Sequence, residues 1–301
     1  MKKNSLSKHI NSHEQVSQSQ LKSKNAGRLF LVSTPIGNLG DISARAIETL
    51  KTCDFVLAED TRIGKKLLSA FGISKPVYRA DEEATEKIIP QIIDALEKGR
   101  DIALISDAGT PCVSDPGQRV SSAIIDAGFE IYPIPGASSV LAGLVASGID
   151  AKQFAFLGFI PNKQKARQDF FNNYKSMPLT LIMFETGPRL LASLGDMFEV
   201  MGNRKIAVTR ELTKLYEEKQ RGLLADIVTH YQEKGAPKGE IVIIIEGAQV
   251  SQNNYDDAQI VDLIKESLKT QSVKDLSNEI AKLTGRKSRD IYEMAIKIKN
   301  A

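Results

Sequence analysis

From Arg28 to Ile134 the chain repeats one pattern: a short apolar run, a loop bearing glycine or an acid, then an amphipathic stretch. RLFLVS (28–33), DFVLA (54–58), DIALIS (101–106) and FEIYPIP (129–135) are too short for ordinary helices and read as buried strands. Between them, ISARAIETLKT (42–52), KIIPQIIDALEKG (87–99) and QRVSSAIIDAG (118–128) carry apolar residues at helical spacing and mostly end in glycine or a polar turn. Strand, helix, strand in repetition closes into a largely parallel sheet with helices on both faces. The fold class predicted is therefore α/β.

A second set of strands follows the small-residue helix SSVLAGLVASG (138–148), which is expected to lie across both halves. FAFLGF (154–159), LTLIMFE (179–185), KIAVTRE (205–211) and EIVIIIE (240–246) are its apolar runs, with RLLASLGDMFEVM (189–201) a helix between them. The boundary is placed at 149–153, giving an N-terminal α/β domain over 28–148 and a C-terminal one over 149–250. Residues 1–27, rich in Ser, Gln, Asn and Lys, lack apolar periodicity and read as a disordered leader. Residues 256–301 are helical and form a helix-turn-helix-like tail. Ser272 with Asp275 resembles a capping box, Gly285 stops that helix, and Ser288 is placed to cap the next. The stripe Val273, Leu276, Ile280, Leu283 needs a partner, whether the body of the protein or a second copy.

Charge and composition narrow the function. The 301 residues carry 40 basic and 37 acidic side chains, a net +3. Residues 1–28 hold six of the bases against Glu14 alone, so the remainder carries about −2 and is not a nucleic-acid-coating surface. A polyanion would need a local patch, such as the net +4 of residues 282–299. No apolar run reaches the roughly 18 residues of a membrane span. The first residues have no apolar segment of the secretory kind, and the default address is the cytoplasm. Cys53 and Cys112 suit neither a disulfide scaffold nor a four-cysteine zinc site. With three histidines, two of them in the leader, histidine metal or triad chemistry is not expected, and no metal site is assigned.

The chemistry is expected where strands end. Thr34–Gly37, Asp107–Pro111 and Pro135–Ser139 each follow a strand, and open α/β sheets bind ligands beyond those carboxyl ends. Glycine lets backbone approach a ligand, and the following helix N-terminus offers free N–H donors. Three such loops in one crevice point to a nucleotide-like cofactor. There is no G-x-G-x-x-G after the first strand and no phosphate-binding G-x-x-x-x-G-K-[ST], so dehydrogenase and phosphate-hydrolysing readings lose ground. Charged groups flank the same ends: Glu59, Asp60 and Arg62; Glu185 and Arg189; Arg210, Glu211, Lys214 and Glu217. Function and simple ion pairing explain each of these equally well.

STPIGNLGDIS (33–43), AEDTR (58–62), LISDAGTPCVSDPG (104–117) and PIPGASSVLAGLVASG (133–148) resemble the tetrapyrrole-methylase superfamily. FETGPRL (184–190), VTRELTKLYEE (208–218), RGLLADI (221–227) and KGEIVIIIEG (238–247) continue the likeness, which covers about 28–247. Within it the chain is most similar to the branch that 2′-O-methylates a decoding-site cytidine of 16S rRNA. The resemblance implies a two-domain class III methyltransferase architecture with a small helical C-terminal extension. It also implies S-adenosylmethionine in the cleft between domains, the small ribosomal subunit as partner, and a homodimer. Carried over by position, the cofactor loops fall on Pro35 to Gly37, on Ala108, Gly109, Thr110, Pro111 and Val113, and on Ser138 and Ser139, with Phe184 from a later strand. Thr110 and Glu185 stand where tetrapyrrole enzymes often carry aspartate and methionine, which favours the RNA-modifying branch.

Methyl transfer from a sulfonium to a ribose hydroxyl calls for alignment, water exclusion and a base. Glu185, Asp60 and Glu211 are the candidates for the base, Glu185 foremost. Arg62, Arg189 and Arg210 are candidates to hold flanking phosphates by bidentate contacts. The rivals are a methylase of small anionic tetrapyrroles, against which the 256–301 extension speaks, and a non-catalytic ribosome-binding protein with a remnant cleft.

Overall fold

A computed structural model describes residues 26–115, 117–249 and 255–300. The leader expected over 1–27 lies outside the described residues except for Ala26 and Gly27, whose N–H donates to the Leu96 carbonyl at 2.8 Å for Gly27. The chain divides into two compact units, Met1–Glu246 and Gly247–Ala301.

The first unit holds two five-stranded sheets. In the first, β1 (Leu29–Val32), β2 (Phe55–Ala58), β3 (Val77–Arg79), β4 (Ile102–Ile105) and β5 (Ile131–Ile134) lie in the order β3-β2-β4-β1-β5, every pair parallel. Helices α1 (Ala44–Thr52), α2 (Thr61–Ala70), α3 (Thr85–Glu97) and α4 (Gly117–Asp126) make the crossovers. Alternation along the strands feeds both faces. Leu29, Leu57 and Leu104 pack with Ile92, Leu96 and Ile124, while Val32, Val56 and Ala103 pack with Ala46, Leu50 and Leu68. The expectation of a parallel sheet covered on both sides holds here. Strand β3 lies at the sheet edge, and its three residues were too few to read from the pattern.

The second sheet, for which the sequence gives strands without a direction, is mixed. Helix α5 (Ser139–Ser147) leads into β6 (Phe154–Phe159), α6 (Gln164–Tyr174), β7 (Thr180–Thr186), α7 (Gly187–Met201), β8 (Lys205–Arg210), β9 (Glu218–Leu223), α8 (Leu224–Lys234) and β10 (Glu240–Ile245). Their order is β6-β7-β10-β8-β9, and only β6 and β7 run parallel. Strand β10 inserts antiparallel between β7 and β8, and β8 pairs antiparallel with β9. A strand buried on both faces reads as a continuous apolar run whichever way its neighbours point, so direction was not legible. Ile241, Ile243 and Ile245 face Phe171, Leu194 and Tyr231. Val242 and Ile244 face Val140 and Leu144 of α5 together with Ile36 and Leu212. Gly143 explains the small residues of α5: a Cβ there would lie 3.1 Å from Val242 Cγ1. The helix expected to span both halves packs on the second sheet.

The second unit contains α9 (Asp257–Ser267), α10 (Val273–Thr284) and α11 (Ser288–Lys299). Ile260, Ile264, Leu276, Ile280, Ile291 and Ala295 form its own core, so Val273, Leu276 and Ile280 of the tail's stripe find partners within the unit, while Leu283 stays exposed. Ser272 caps α10 by accepting from the Asp275 N–H, and Gly285 closes it in the left-handed region. A full capping box sits instead on α9, between Asp256 and Gln259. Ser288 does not cap α11; it is the first helical residue, its hydroxyl 2.8 Å from Asn278 Oδ1, with Lys287 in the cap position.

Candidate functional site

The three loops expected to converge are tied to one another. Thr34 N–H donates to the Gly109 carbonyl at 2.9 Å, and Gly109 N–H returns a bond to the Thr34 carbonyl at 3.2 Å. The Ser33 hydroxyl reaches Thr110 Oγ1 at 3.3 Å, and Thr110 Oγ1 donates to the Ala137 carbonyl at 3.2 Å. Thr110 is thus the cross-tie between the loops after β1, β4 and β5. Ser138 caps α5 through its side chain. Gly109, at φ +84, passes so close to Ile36 that a Cβ would meet its Cγ2 at 3.3 Å. Two further residues of the loop, Cys112 (φ 70) and Ser114 (φ 58), hold left-handed backbone without being glycine, which costs about 1–3 kcal/mol each.

Beside these loops lies a cleft of about 330 Å³ with one wall from each sheet. Ala108, Val113 and Ser139 of the expected cofactor loops line it, as do Phe184 and Glu185 at the end of β7. The apolar wall is aromatic: Phe184 packs edge-on against Phe156 and Phe159, with ring centroids 4.7 and 5.3 Å away. Ile36, Leu212 and Val242 extend that wall. Carboxylates come from both sheets. Glu59, Asp107, Asp115, Glu185 and Glu240 all line the cleft, and none of its described lining residues is Lys, Arg or His.

Three of these acids carry pKa values above the ordinary carboxylate range. Burial is the main cause for Glu59, reinforced by Asp115, Asp107 and Asp81. Burial also raises Asp107 and Asp115, in part offset by the N–H bonds they accept from Asp60 at 3.0 Å and from Gly117 at 2.7 Å. Such a floor takes a cationic ligand carrying a flat apolar ring. Its lining offers no cationic side chain to a pyrophosphate.

Several charged groups singled out in the sequence are engaged with one another. Asp60 caps α2 and pairs with Arg62 at 2.6 Å; the Arg62 hydrogen bonds hold its carboxyl down at about 2, and the Arg62 side chain is 89% exposed. Glu185 is fully enclosed. It forms an ion pair with Arg189 (Nε at 3.1 Å) and accepts from Arg189 Nη2 at 3.4 Å, the Thr186 N–H at 2.8 Å and the Ser193 hydroxyl, while Arg189 also donates to the Ile160 carbonyl. Glu211 accepts from the Glu240 N–H and from Lys214; burial opposes its charge, but these bonds outweigh it and lower the pKa. Arg210 pairs with Glu218 at 3.0 Å and donates to the Lys238 carbonyl. Arg62 alone of the three arginines presents its guanidinium mainly to solvent; Arg189 and Arg210 are spent on internal pairs. Pro35 and Gly37 border a neighbouring recess rather than the cleft. Thr110 and Gly109 shape the loop, and Pro111 is buried behind it.

Glu59 was noted in the sequence only as a charged group beside Asp60, and Asp107, Asp115 and Glu240 were not assigned a role there. Asp107 opens the loop that was recognised, and Glu59 adjoins Asp60. Nothing local marks them as converging, because they come from the ends of β2 and β4, a loop and β10.

A family model described as tetrapyrrole (corrin/porphyrin) methylases matches residues 28–228. "Ribosomal RNA small subunit methyltransferase I" of Mesorhizobium japonicum is 42% identical over 274 residues, covering 90% of this chain and 92% of that protein. The protein of that name from Erythrobacter litoralis is 44% identical over 271 residues, covering 90% and 95%. Its namesake from Halalkalibacterium halodurans is 44% identical over 230 residues, covering 76% and 79%. Among solved structures, a diphthine synthase superposes with a TM-score of 0.56 at 16% identity, over 73% of this chain and 90% of that one. The native uroporphyrin III C-methyl transferase of Thermus thermophilus gives 0.52 at 17% identity, over 72% and 97%. Those two likenesses speak for the fold, and the sequence matches for the lineage: the chain belongs to the tetrapyrrole (corrin/porphyrin) methylase family.

Proposed function

We propose that this chain is an S-adenosylmethionine-dependent methyltransferase of 16S rRNA in the small ribosomal subunit, acting on the 2′-oxygen of a decoding-site cytidine. Its curated relatives carry the name ribosomal RNA small subunit methyltransferase I over almost their whole length. The single observation that carries the cofactor is the cleft, lined by aromatic residues and five carboxylates with no basic side chain among its described lining. When bound, S-adenosylmethionine supplies a methyl group on a positively charged sulfur. Phe184, Ile36 and Val242 suit its adenine, and Asp107, Glu59 and Asp115 suit its positive charges. Ala108, Val113 and Ser139 would hold it from the loop side, with Gly109, Thr110, Pro111, Ser138, Pro35 and Gly37 shaping that side.

The chain's own part is to align the acceptor and take its proton. The O–CH₃ bond forms as the S–CH₃ bond breaks, and the hydroxyl proton must pass to a carboxylate and then to water. Glu185, Asp60 and Glu211 are each occupied by internal donors, and the last two have lowered pKa values. Asp107 is better matched: it borders both the cleft and the adjoining recess, and its pKa is raised. Asp107 is accordingly the proposed base, with Asp60, Glu185 and Glu211 as positioning residues. A second copy of the chain is the proposed partner of Leu141 and Val145, which stand 52% and 76% exposed one turn apart on α5. The proposed compartment is the cytoplasm; among the described residues no helix is long and apolar enough to cross a membrane.

Tritiated methyl transfer from S-adenosylmethionine to small subunits lacking their decoding-site methylations, with product nucleosides resolved, tests the reading. Label in 2′-O-methylcytidine is expected. Absence of label in RNA, despite measurable cofactor binding, overturns it.

A further inference from the structure

On the far side of the Asp107–Ala108 segment a second recess opens, of about 490 Å³. It shares Ile36, Ser106, Asp107, Ala108 and Glu240 with the cleft, so the two cavities meet at the proposed base. Their chemistry differs. The recess has apolar walls from Leu39, Ile63 and Leu67 and two cations, Lys66 and Lys214. Lys65 stands exposed beside Lys66 on α2. The volume is of the order that encloses a small ligand.

The loop between β8 and β9 borders both cavities: Leu212 lines the cleft and Lys214 the recess. It is held in a costly form. Glu211 (φ 49) and Thr213 (φ 65) adopt left-handed backbone. Lys214 is clamped by Glu211 at 3.1 Å and Glu240 at 2.9 Å, and the Thr213 N–H donates to the Glu217 carboxylate at 2.6 Å. The apex this builds carries Leu215 and Tyr216, 88% and 70% exposed. The two left-handed residues flank Leu212, which packs into a core of the second sheet, and Leu215 and Tyr216 beyond them lie outside that core. A leucine beside a tyrosine on a rigid apex has the form of a wedge that enters a gap in stacked bases.

Building on the function proposed above, we propose that this recess receives one nucleotide drawn out of the RNA strand, while Leu215 and Tyr216 occupy the gap it leaves. The nucleobase lies against Ile63 and Leu67, Lys66 takes an adjoining phosphate, and the ribose comes to rest at Asp107, where recess and cleft join. A ribose kept within its strand would have to bring neighbouring phosphates into the carboxylate-lined cleft, whereas a nucleotide entering alone through the recess avoids them.

The test measures methylation of small subunits lacking decoding-site methylations, alongside calorimetric binding of S-adenosylmethionine. Leu215→Ala/Tyr216→Ala should lose at least about tenfold in kcat/KM, with cofactor Kd within twofold. Ile63→Glu, at a position 43% exposed, should block the recess with a similar loss. Lys66→Ala should flatten the salt dependence of log(kcat/KM) by about one unit of slope. Wild-type kcat/KM in both the Leu215→Ala/Tyr216→Ala and Ile63→Glu proteins overturns the inference alone. A wild-type enzyme that places no methyl on RNA overturns the functional reading and this inference with it.

Discussion

The backbone N–H of Asp60 donates to the Asp107 carboxylate at 3.0 Å, joining the ends of β2 and β4. Asp60 thus acts through its main chain on the acid it faces, while its side chain is turned to Arg62 and the cap of α2.

That division of labour separates two variants. Asp107→Asn should lower kcat by about 10²–10⁴-fold and, because the same carboxylate faces the cofactor's charge, should also raise the KM for S-adenosylmethionine. Asp60→Asn keeps the N–H and should cost less than about tenfold. Because the Asp107 pKa is raised, wild-type kcat should climb with pH through a limb above the ordinary aspartate range and then level off, and Asp107→Asn should lose that limb. Glu185→Gln leaves Arg189 facing a neutral amide and should lower thermal stability more than kcat; a kcat loss larger than that of Asp107→Asn would transfer the base role to Glu185.

The raised acids also set how affinity depends on pH. As pH falls, Glu59, Asp107 and Asp115 become neutral sooner than ordinary carboxylates and cease to attract a sulfonium. S-Adenosylmethionine should therefore bind more weakly at pH 5 than at pH 7.5, and S-adenosylhomocysteine, with its neutral sulfur, should change less. Calorimetry with both ligands checks this. For folding the sign is opposite: the folded state keeps protons that the unfolded state has lost, so these groups reduce stability as pH rises through their raised pKa values. Asp115→Asn should raise Tm at pH 7 while weakening S-adenosylmethionine binding, which thermal unfolding and calorimetry check.

Arg167 and Asp196 form an ion pair at 2.5 Å with side chains only 7% and 5% exposed. Gln164 and Gln168 also donate to Asp196. Removing one partner strands a buried charge, so Asp196→Ala should cost about 3–5 kcal/mol in urea unfolding. Arg167→Met/Asp196→Leu should recover most of that loss.

Residues 247–301 carry their own core, which dictates where a truncation can fall. A chain ending at Glu246 should bind S-adenosylmethionine within twofold of the full protein. A cut before Ser272 removes Leu276, Ile280 and Ile291 from Ile260 and Ile264 on α9. That protein should aggregate or lose α9 to proteolysis, which light scattering and limited digestion would register.

The sequence by itself determined the parallel sheet over 29–134, the glycine loops at its carboxyl edge and the helical tail, because each is written in local spacing. A period of 2 or 3.6 residues, a glycine after a strand and a serine ahead of a helix all lie within a few neighbours. The motifs around Asp107–Pro111 and Pro135–Ser139 carried the lineage as well. Tertiary structure alone decided what non-local pairing decides. Strand β10 enters between β7 and β8, which places Glu240 beside Lys214 and Val242 beside α5. Ile36, from the first loop, belongs to a core of the second sheet. Whether a charged strand end faces a ligand or a neighbour was equally undecided in the sequence: Glu185 and Arg210 turned inward to Arg189 and Glu218, and Asp107 was left facing the cleft. The physical reason is that a side chain's charge state and use depend on groups brought near by the fold, at separations along the chain that no local pattern encodes.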